Sequence, residues 1–220
     1  MEIERRRRDY FLARLKMIED LLPVSRNERR LFEIGCGGGF LLAIASERGW
    51  VTEGIELSSE LAEKARLNSP KSRIHLGDFL QMEGLAEGTF DAVVGLDVIE
   101  HVLSPSELIG RARRLLRPGG ILLLQTPNAD SLRSRLHKSG WNMLLPEYHF
   151  HLFSVKGLSG LIESSGLEIV RLSSVSGTGL ERGILECALR IREEVLSWFR
   201  LGNALIVIAG KHGAGTSLPR

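Results

Sequence analysis

From residue 30 onward, short apolar runs alternate with segments of helical period, and the first run breaks into a loop with glycine at every second position. Residues 31–34 read as a strand. The loop Glu33-x-Gly35-x-Gly37-x-Gly39 follows, and then a helix over 40–48. A second strand falls at 51–57, with Ser58 placed to cap a helix carrying Leu61, Ala62, Ala65 and Leu67. Residues 74–76 make a short third strand, and 90–96 a fourth whose nearly continuous apolar run implies burial on both faces. A helix over 105–116, closed by Arg117-Pro118-Gly119-Gly120, leads to a fifth strand at 121–126. This rhythm builds βαβ units, so the expected fold class is α/β, a parallel sheet with helices on both faces.

The two ends depart from the rhythm. Residues 3–22 predict an amphipathic helix, with Tyr10, Leu12, Leu15, Ile18, Leu21 and Leu22 near one stripe and Pro23 ending it. Near the other end, 167–175 and 204–210 read as strands separated by a helix at about 181–199. Between the fifth strand and this tail, a polar stretch with Trp141, Pro146 and Tyr148 predicts a flexible flap over the sheet. The expected division is an N-terminal helical unit at 1–29 and a main domain at 30–220, with the flap at 130–153.

Composition narrows the class. The 220 residues are 43% hydrophobic and 25% charged, as in a globular chain that holds a core without disulfide or metal. Cys36 and Cys187 form no ligand pair or framework, which suits a reducing cytoplasm, and Cys36 reads as a small residue tolerated in a tight turn. The first residues lack the apolar run of a signal peptide, and no apolar stretch is long enough to span a membrane. A net charge of +2 is too small to argue for nucleic acid. The basic helix with Arg111, Arg113, Arg114 and Arg117 reads as a solvated face. Residues 5–8 read as an exposed basic turn, or as an attractor of an anionic acceptor or acidic lipid headgroups.

The glycine loop lies where open α/β sheets bind ligands, outside the carboxyl end of the first strand. Its glycines supply positive φ and close backbone approach. The dinucleotide fingerprint Gly-x-Gly-x-x-Gly fails at Phe40, and no Gly-Lys-Ser/Thr follows to make a phosphate loop. An acid directly before the loop, Glu33, suits a cationic ligand such as S-adenosylmethionine, which carries a sulfonium and an ammonium. Glu56 ends the next strand, where a carboxylate accepts both ribose hydroxyls of an adenosine. After the third strand, Asp78 is placed to accept from an adenine amino group and Phe79 to offer an apolar face. Taken alone, Asp78 is a turn residue; acids at three successive strand ends make a ligand site.

With these motifs in hand, residues 30–210 resemble the class I S-adenosylmethionine-dependent methyltransferases. LFEIGCGGG is similar to their first motif, GIELS to the ribose-binding strand end, GDF to the adenine contact, FDAVVGLDVIEHV to the fourth strand and LRPGGILLLQTPN to the fifth. HFHLFS at 149–154 is similar to a segment in the subgroup near the ubiquinone-biosynthesis O-methyltransferases. The resemblance implies a Rossmann-like, seven-stranded, mostly parallel sheet whose last strand is antiparallel beside the fifth, with the N-terminal helix as a lid. It implies cofactor contacts from Glu33, Gly35, Cys36, Gly37, Glu56, Leu57, Asp78, Phe79 and Asp97, and S-adenosylhomocysteine as product.

Methyl transfer from a sulfonium needs alignment and, for a hydroxyl acceptor, removal of a proton, so it leaves a weak catalytic signature. Asp97-x-x-Glu100-His101 at the fourth strand end has three readings, in this order: a pocket-shaping cap, His101 as general base, and a divalent-metal site of Asp97, Glu100 and His101. Similar Glu-x-x-Glu-His patterns in ubiquinone O-methyltransferases and small-RNA 2′-O-methyltransferases look like metal ligands; here the first position is an aspartate. His149 and His151, two apart, would share a face on a strand and are further candidates for the acceptor pocket, as are Trp141 and Tyr148. The acceptor expected is a small molecule, with an oxygen nucleophile preferred. Nucleic-acid bases are disfavoured because 96–99 lack the Asn/Asp-Pro-Pro-aromatic segment of exocyclic-nitrogen methylases. Two rivals stand beside this reading: a catalytically silent binding subunit and an NAD-dependent oxidoreductase. Oligomeric state stays open.

Overall fold

The computed structural model describes residues 2–22, 28–175 and 200–211. The chain opens with helix α1 (Glu2–Glu19), then strand β1 (Arg29–Ile34), α2 (Phe40–Glu47), β2 (Trp50–Glu56), α3 (Ser59–Asn68), β3 (Arg73–Leu76) and β4 (Phe90–Leu96). It continues through α4 (Pro105–Leu115), β5 (Leu116–Pro127), α5 (Leu132–His137), α6 (Val155–Ser164), β6 (Glu168–Val175) and β7 (Ala204–Gly210). The strands form one seven-stranded sheet in the order β3-β2-β1-β4-β5-β7-β6. β1 to β5 are parallel, and β7 is antiparallel to both β5 and β6. The Rossmann-like α/β architecture and the reversed last strand match the expectation.

Both faces of the sheet are covered, and the strand period of two sorts the core accordingly. Phe32, Ile34, Val93, Leu122, Leu124, Leu205 and Val207 face α4 and α6. Their neighbours Leu31, Ala92, Val94, Ile121, Leu123, Ile206 and Ile208 face α1 and α2. Helix α4 meets the first layer with Leu108, Ile109, Ala112 and Leu115, a spacing that keeps one stripe inward. Helix α2 is apolar almost all round because it lies between the sheet and α1. Helix α1 buries Leu15 and Ile18, as its stripe predicts, and also Arg14.

Two boundaries differ from the sequence reading. Strand β5 begins at Leu116, running through the Pro-Gly-Gly turn, and its register against β4 shifts between Phe90 and Ala92. The early start is possible because Gly119 takes φ 75. Within the segment read as a flexible flap, residues 132–137 fold into α5, capped by the Ser131 hydroxyl, which accepts from the Ser134 amide. The helix expected at about 181–199 lies outside the described residues.

The registers bring the functional end together. Ile34 pairs with both Ile55 and Gly95, and Leu96 with Gln125, so the carboxyl ends of the four central parallel strands share one edge. Because β7 runs the other way, its start, Ala204, opposite Pro127, reaches the same edge. Among the described residues, no helix is long and apolar enough to cross a membrane.

Candidate cofactor and acceptor site

The glycine loop is built as its spacing implies. Gly35, Gly37 and Gly39 all have positive φ. At Gly39 a Cβ would lie 2.9 Å from the Ala65 Cα, so the start of α2 is pressed against α3, whereas around Gly37 nothing lies within 4 Å. Glu56 spans the loop and the next turn: one carboxylate oxygen accepts from the Gly37 amide at 2.8 Å and the other from the Ser58 amide at 2.9 Å. Each oxygen retains a lone pair for a further donor, as a ribose diol requires. Leu57, beside it, is 73% exposed, an open apolar platform.

Glu33 is buried, and its Oε2 has no hydrogen-bond partner. Burial, and then the nearby Glu56 charge, hold its carboxyl well above the usual carboxylate range. A buried acid with an unused oxygen beside a glycine loop fits the ammonium of S-adenosylmethionine. Asp78 has one oxygen on the Leu80 amide at 2.9 Å and is only half-buried. Phe79, expected to offer its face to the adenine, is instead packed into the core, 5.9 Å from the Phe32 ring centroid. An aromatic after a turn is drawn inward wherever a core layer is open to it. Cys36 is also buried, its amide on the Ile55 carbonyl, and burial pushes its thiol up to about 12, so it shapes the turn and supplies no nucleophile.

Beside the loop opens a cavity of ≈ 820 Å³, whose lining includes Phe40, Asp97, Glu100, His101, Gln125 and His149. Gln125 is its hub. The Gln125 Nε2 donates to the Tyr10 hydroxyl at 2.6 Å and to Asp97 at 3.0 Å, while its Oε1 accepts from Arg14 at 2.9 Å. Asp97 takes φ 53, a left-handed turn that aspartate tolerates and that aims the carboxylate into the cavity. Its side chain is open to the cavity water yet walled by protein, and this desolvation raises its carboxyl. The Arg14 guanidinium lies 3.8 Å from the Tyr10 ring centroid with no carboxylate bonded to it, and burial lowers its pKa. Sequence reasoning missed Tyr10, Arg14 and Gln125. The available signal was that Arg14 falls on the apolar stripe between Tyr10 and Ile18, where a solvated arginine has no reason to sit.

Farther along the edge, Glu100, His101 and His149 each offer a donor atom, all within 4.8 Å of one another. Thr126 donates to the Glu100 Oε2 at 3.0 Å, while the buried Oε1 has no partner. Burial pushes this carboxyl up to about 7. The Nδ1 of His101 lies 2.7 Å from the Tyr148 carbonyl, and that of His149 2.7 Å from the Met143 carbonyl. A carbonyl only accepts, so each Nδ1 carries the hydrogen, and in the neutral ring each Nε2 keeps its lone pair. The amides of Phe150 and His151 donate to the Glu100 carbonyl, which pins the flap to the strand end and delivers His149.

The structure redraws the metal candidate accordingly. Asp97 is committed to Gln125, and His149 takes its place beside Glu100 and His101. The donor set of two imidazole nitrogens and an unpartnered carboxylate oxygen fits a divalent cation. His151 does not share a face with His149, because the segment is a loop there; it packs against Phe153 and lines a smaller groove with Pro105. Trp141 is buried at the cavity wall, whereas Tyr148 is exposed.

Comparison with known proteins agrees with this geometry. A methyltransferase-domain family profile matches residues 4–172. A ubiquinone biosynthesis O-methyltransferase of Xanthomonas axonopodis pv. citri is 34% identical over 176 residues, 76% of this chain and 72% of that protein. Another, from Xanthomonas oryzae pv. oryzae, is 38% identical over 126 residues, 56% of this chain and 49% of that protein, so this match spans about half the relative's length. The fold is similar to that of an S-adenosylmethionine-dependent methyltransferase from Thermotoga maritima, with a TM-score of 0.65 and 22% identity, over 96% of this chain and 94% of that one. From the glycine loop, the acids at its edge and these matches together, the chain belongs to the class I S-adenosylmethionine-dependent methyltransferases.

Proposed function

We propose that this chain transfers the sulfonium methyl of S-adenosylmethionine to a hydroxyl oxygen of a small acceptor held in the cavity. On this reading the adenosine end lies on Gly37, Glu56 and Leu57, with Gly35 and the Cys36 turn beneath it and Asp78 at the adenine edge. Glu33 answers the ammonium, and the methionine end passes Asp97 toward Arg14, whose guanidinium suits the cofactor carboxylate. Helix α1 serves as the lid, since it supplies Tyr10 and Arg14.

One observation carries the oxygen acceptor: Glu100, His101 and His149 converge beside the place where the methyl would be delivered. Glu100 Oε1 and the two Nε2 atoms are the donors that would hold a divalent cation, and such a cation, when bound, makes an acceptor hydroxyl more acidic. Without a cation, the same Nε2 lone pairs are free to hold the hydroxyl in line and take its proton.

The test is transfer of labelled methyl from S-adenosylmethionine to catechol and to a matched amine, before and after chelation. Methylated catechol, abolished by chelator and restored by magnesium or manganese, is the expected result. Activity that survives chelation would assign the proton to the histidines alone. Methylation of the amine but not of the hydroxyl sinks the oxygen reading, and tight S-adenosylhomocysteine binding with no acceptor turned over favours a silent binding subunit.

A further inference from the structure

The cavity walls are largely apolar and carry more arginines than acids. Phe11, Phe40, Trp141 and Met143 line it, and so do four arginines: Arg6, Arg7 and Arg14 from α1, and Arg133 from α5. Its acids are Asp97 and Glu100, neither of them ion-paired to an arginine, since they bond Gln125 and Thr126. A cofactor with a sulfonium, an ammonium and a carboxylate adds one further positive charge. With the adenosine end on the glycine loop, which contributes none of the lining residues, most of the cavity is left to the acceptor; the whole is the size of an ordinary small-molecule pocket.

Two of the arginines are already committed. Arg6 Nε donates to Glu2 at 2.7 Å, and Arg14 is bonded to Gln125. Among the described residues, the other two have no acid on them. The Arg7 guanidinium lies over the Phe40 ring, 4.5 Å from its centroid, and Arg133 is exposed and lines the same cavity. Two guanidiniums without an acid, on two elements that line one cavity, match a carboxylate or phosphate on a flat apolar body and repel an ammonium.

Resting on the oxygen-acceptor reading above, we infer that the acceptor is an aromatic hydroxyl compound bearing an anionic group, which Arg7 and Arg133 grip while its ring lies among Phe11, Phe40 and Trp141. The anion selects and orients the acceptor; the chemistry stays at the Glu100, His101 and His149 end.

Three catechols that differ only in charge test this: 3,4-dihydroxybenzoate, catechol and dopamine. With the wild-type chain, kcat/KM falls in that order, the carboxylate leading the ammonium by about tenfold or more. Arg133→Glu, at an exposed position with no side-chain bond to lose, raises KM for the carboxylate by about tenfold more than KM for catechol. Arg7→Gln does the same in smaller measure. Dopamine or catechol used as well as the carboxylate overturns the inference, as does a carboxylate KM that Arg133→Glu leaves in place. If none of the three is methylated, the oxygen reading falls by itself, and calorimetry on the chain loaded with S-adenosylhomocysteine decides the charge question. Tighter binding of the carboxylate, lost in Arg133→Glu, upholds the anion. Equal, weaker or undetectable binding of it overturns the anion.

Discussion

Glu100 shows how a single side chain can be costly to the fold and useful to the site. One of its oxygens is satisfied by Thr126, the other is buried without a partner, and burial pushes the carboxyl up to about 7 from the ordinary 4.5. Between those values the folded chain keeps a proton that the unfolded chain has released, so stability falls as pH rises from 4.5 to 7. The loss is complete above pH 7 and on the order of 3 kcal/mol. Glu100→Gln is therefore expected to melt at a higher temperature than wild type at pH 8, and to show little change in that advantage above pH 7. It should also lose any response to divalent cations. Thermal melts at pH 5 and pH 8 check this; a variant less stable than wild type at pH 8 refutes it. Glu33 belongs to the same class, buried with one oxygen unused, which on the proposed reading meets the cofactor ammonium. Glu33→Gln should weaken S-adenosylhomocysteine binding about tenfold or more in calorimetry, since it removes a buried charge-assisted bond.

At the scale of elements, the glycine loop separates two functions that its repeat presents as one. Gly39 is a packing glycine: with φ 74, and a Cβ site 2.9 Å from the Ala65 Cα, any side chain must push α2 off α3. Gly37 is strained at φ 51 but has open space where a side chain would go, which on the proposed reading the cofactor fills. Gly37→Ala should cost about 1–2 kcal/mol of stability, the backbone strain alone, yet lose most cofactor affinity. Gly39→Ala should cost more than that in stability, because steric displacement adds to the strain. Denaturant midpoints and calorimetry on the two variants separate the cases, and equal stability loss in both would contradict the packing argument. The elements themselves were legible because each strand is an apolar run closed by an acid or a glycine, as at Glu56, Gly77 and Asp97. Strand β5 was read short because Pro118-Gly119-Gly120 punctuates a helix and a strand start in the same way.

For the whole molecule, the cofactor half of the site is proposed from sequence and the acceptor half is not, for a physical reason. Glu33, Gly37 and Glu56 lie near one another in the chain, so their spacing carries their geometry. His149 meets Glu100, and Arg133 comes to line one cavity with Arg7, only after the sheet has closed and the flap has been pinned to the Glu100 carbonyl. Phe79 failed the other way, since nothing local tells a ring turned toward a ligand from one turned toward Phe32. Because the loop exists as a site only in the folded chain, cofactor binding should stabilise the entire fold. S-adenosylhomocysteine at a hundred times its Kd should add about 2.7 kcal/mol. In a chain of this size that is a rise in Tm of roughly 5–10 °C. Differential scanning calorimetry tests this, and no shift would deny the loop its ligand.

Cys36, silent in the chemistry, gives that loop a reporter. Its thiol is sealed under the turn, with Sγ 3.1 Å from where a side chain on Gly54 would begin, and it stays protonated far above neutral pH. A maleimide can therefore reach it only in the moments when the turn lifts from β2. With Cys187 replaced by serine, the loss of the one remaining thiol becomes a stopwatch for loop opening, and each increment of bound cofactor should slow it in proportion to the sites filled.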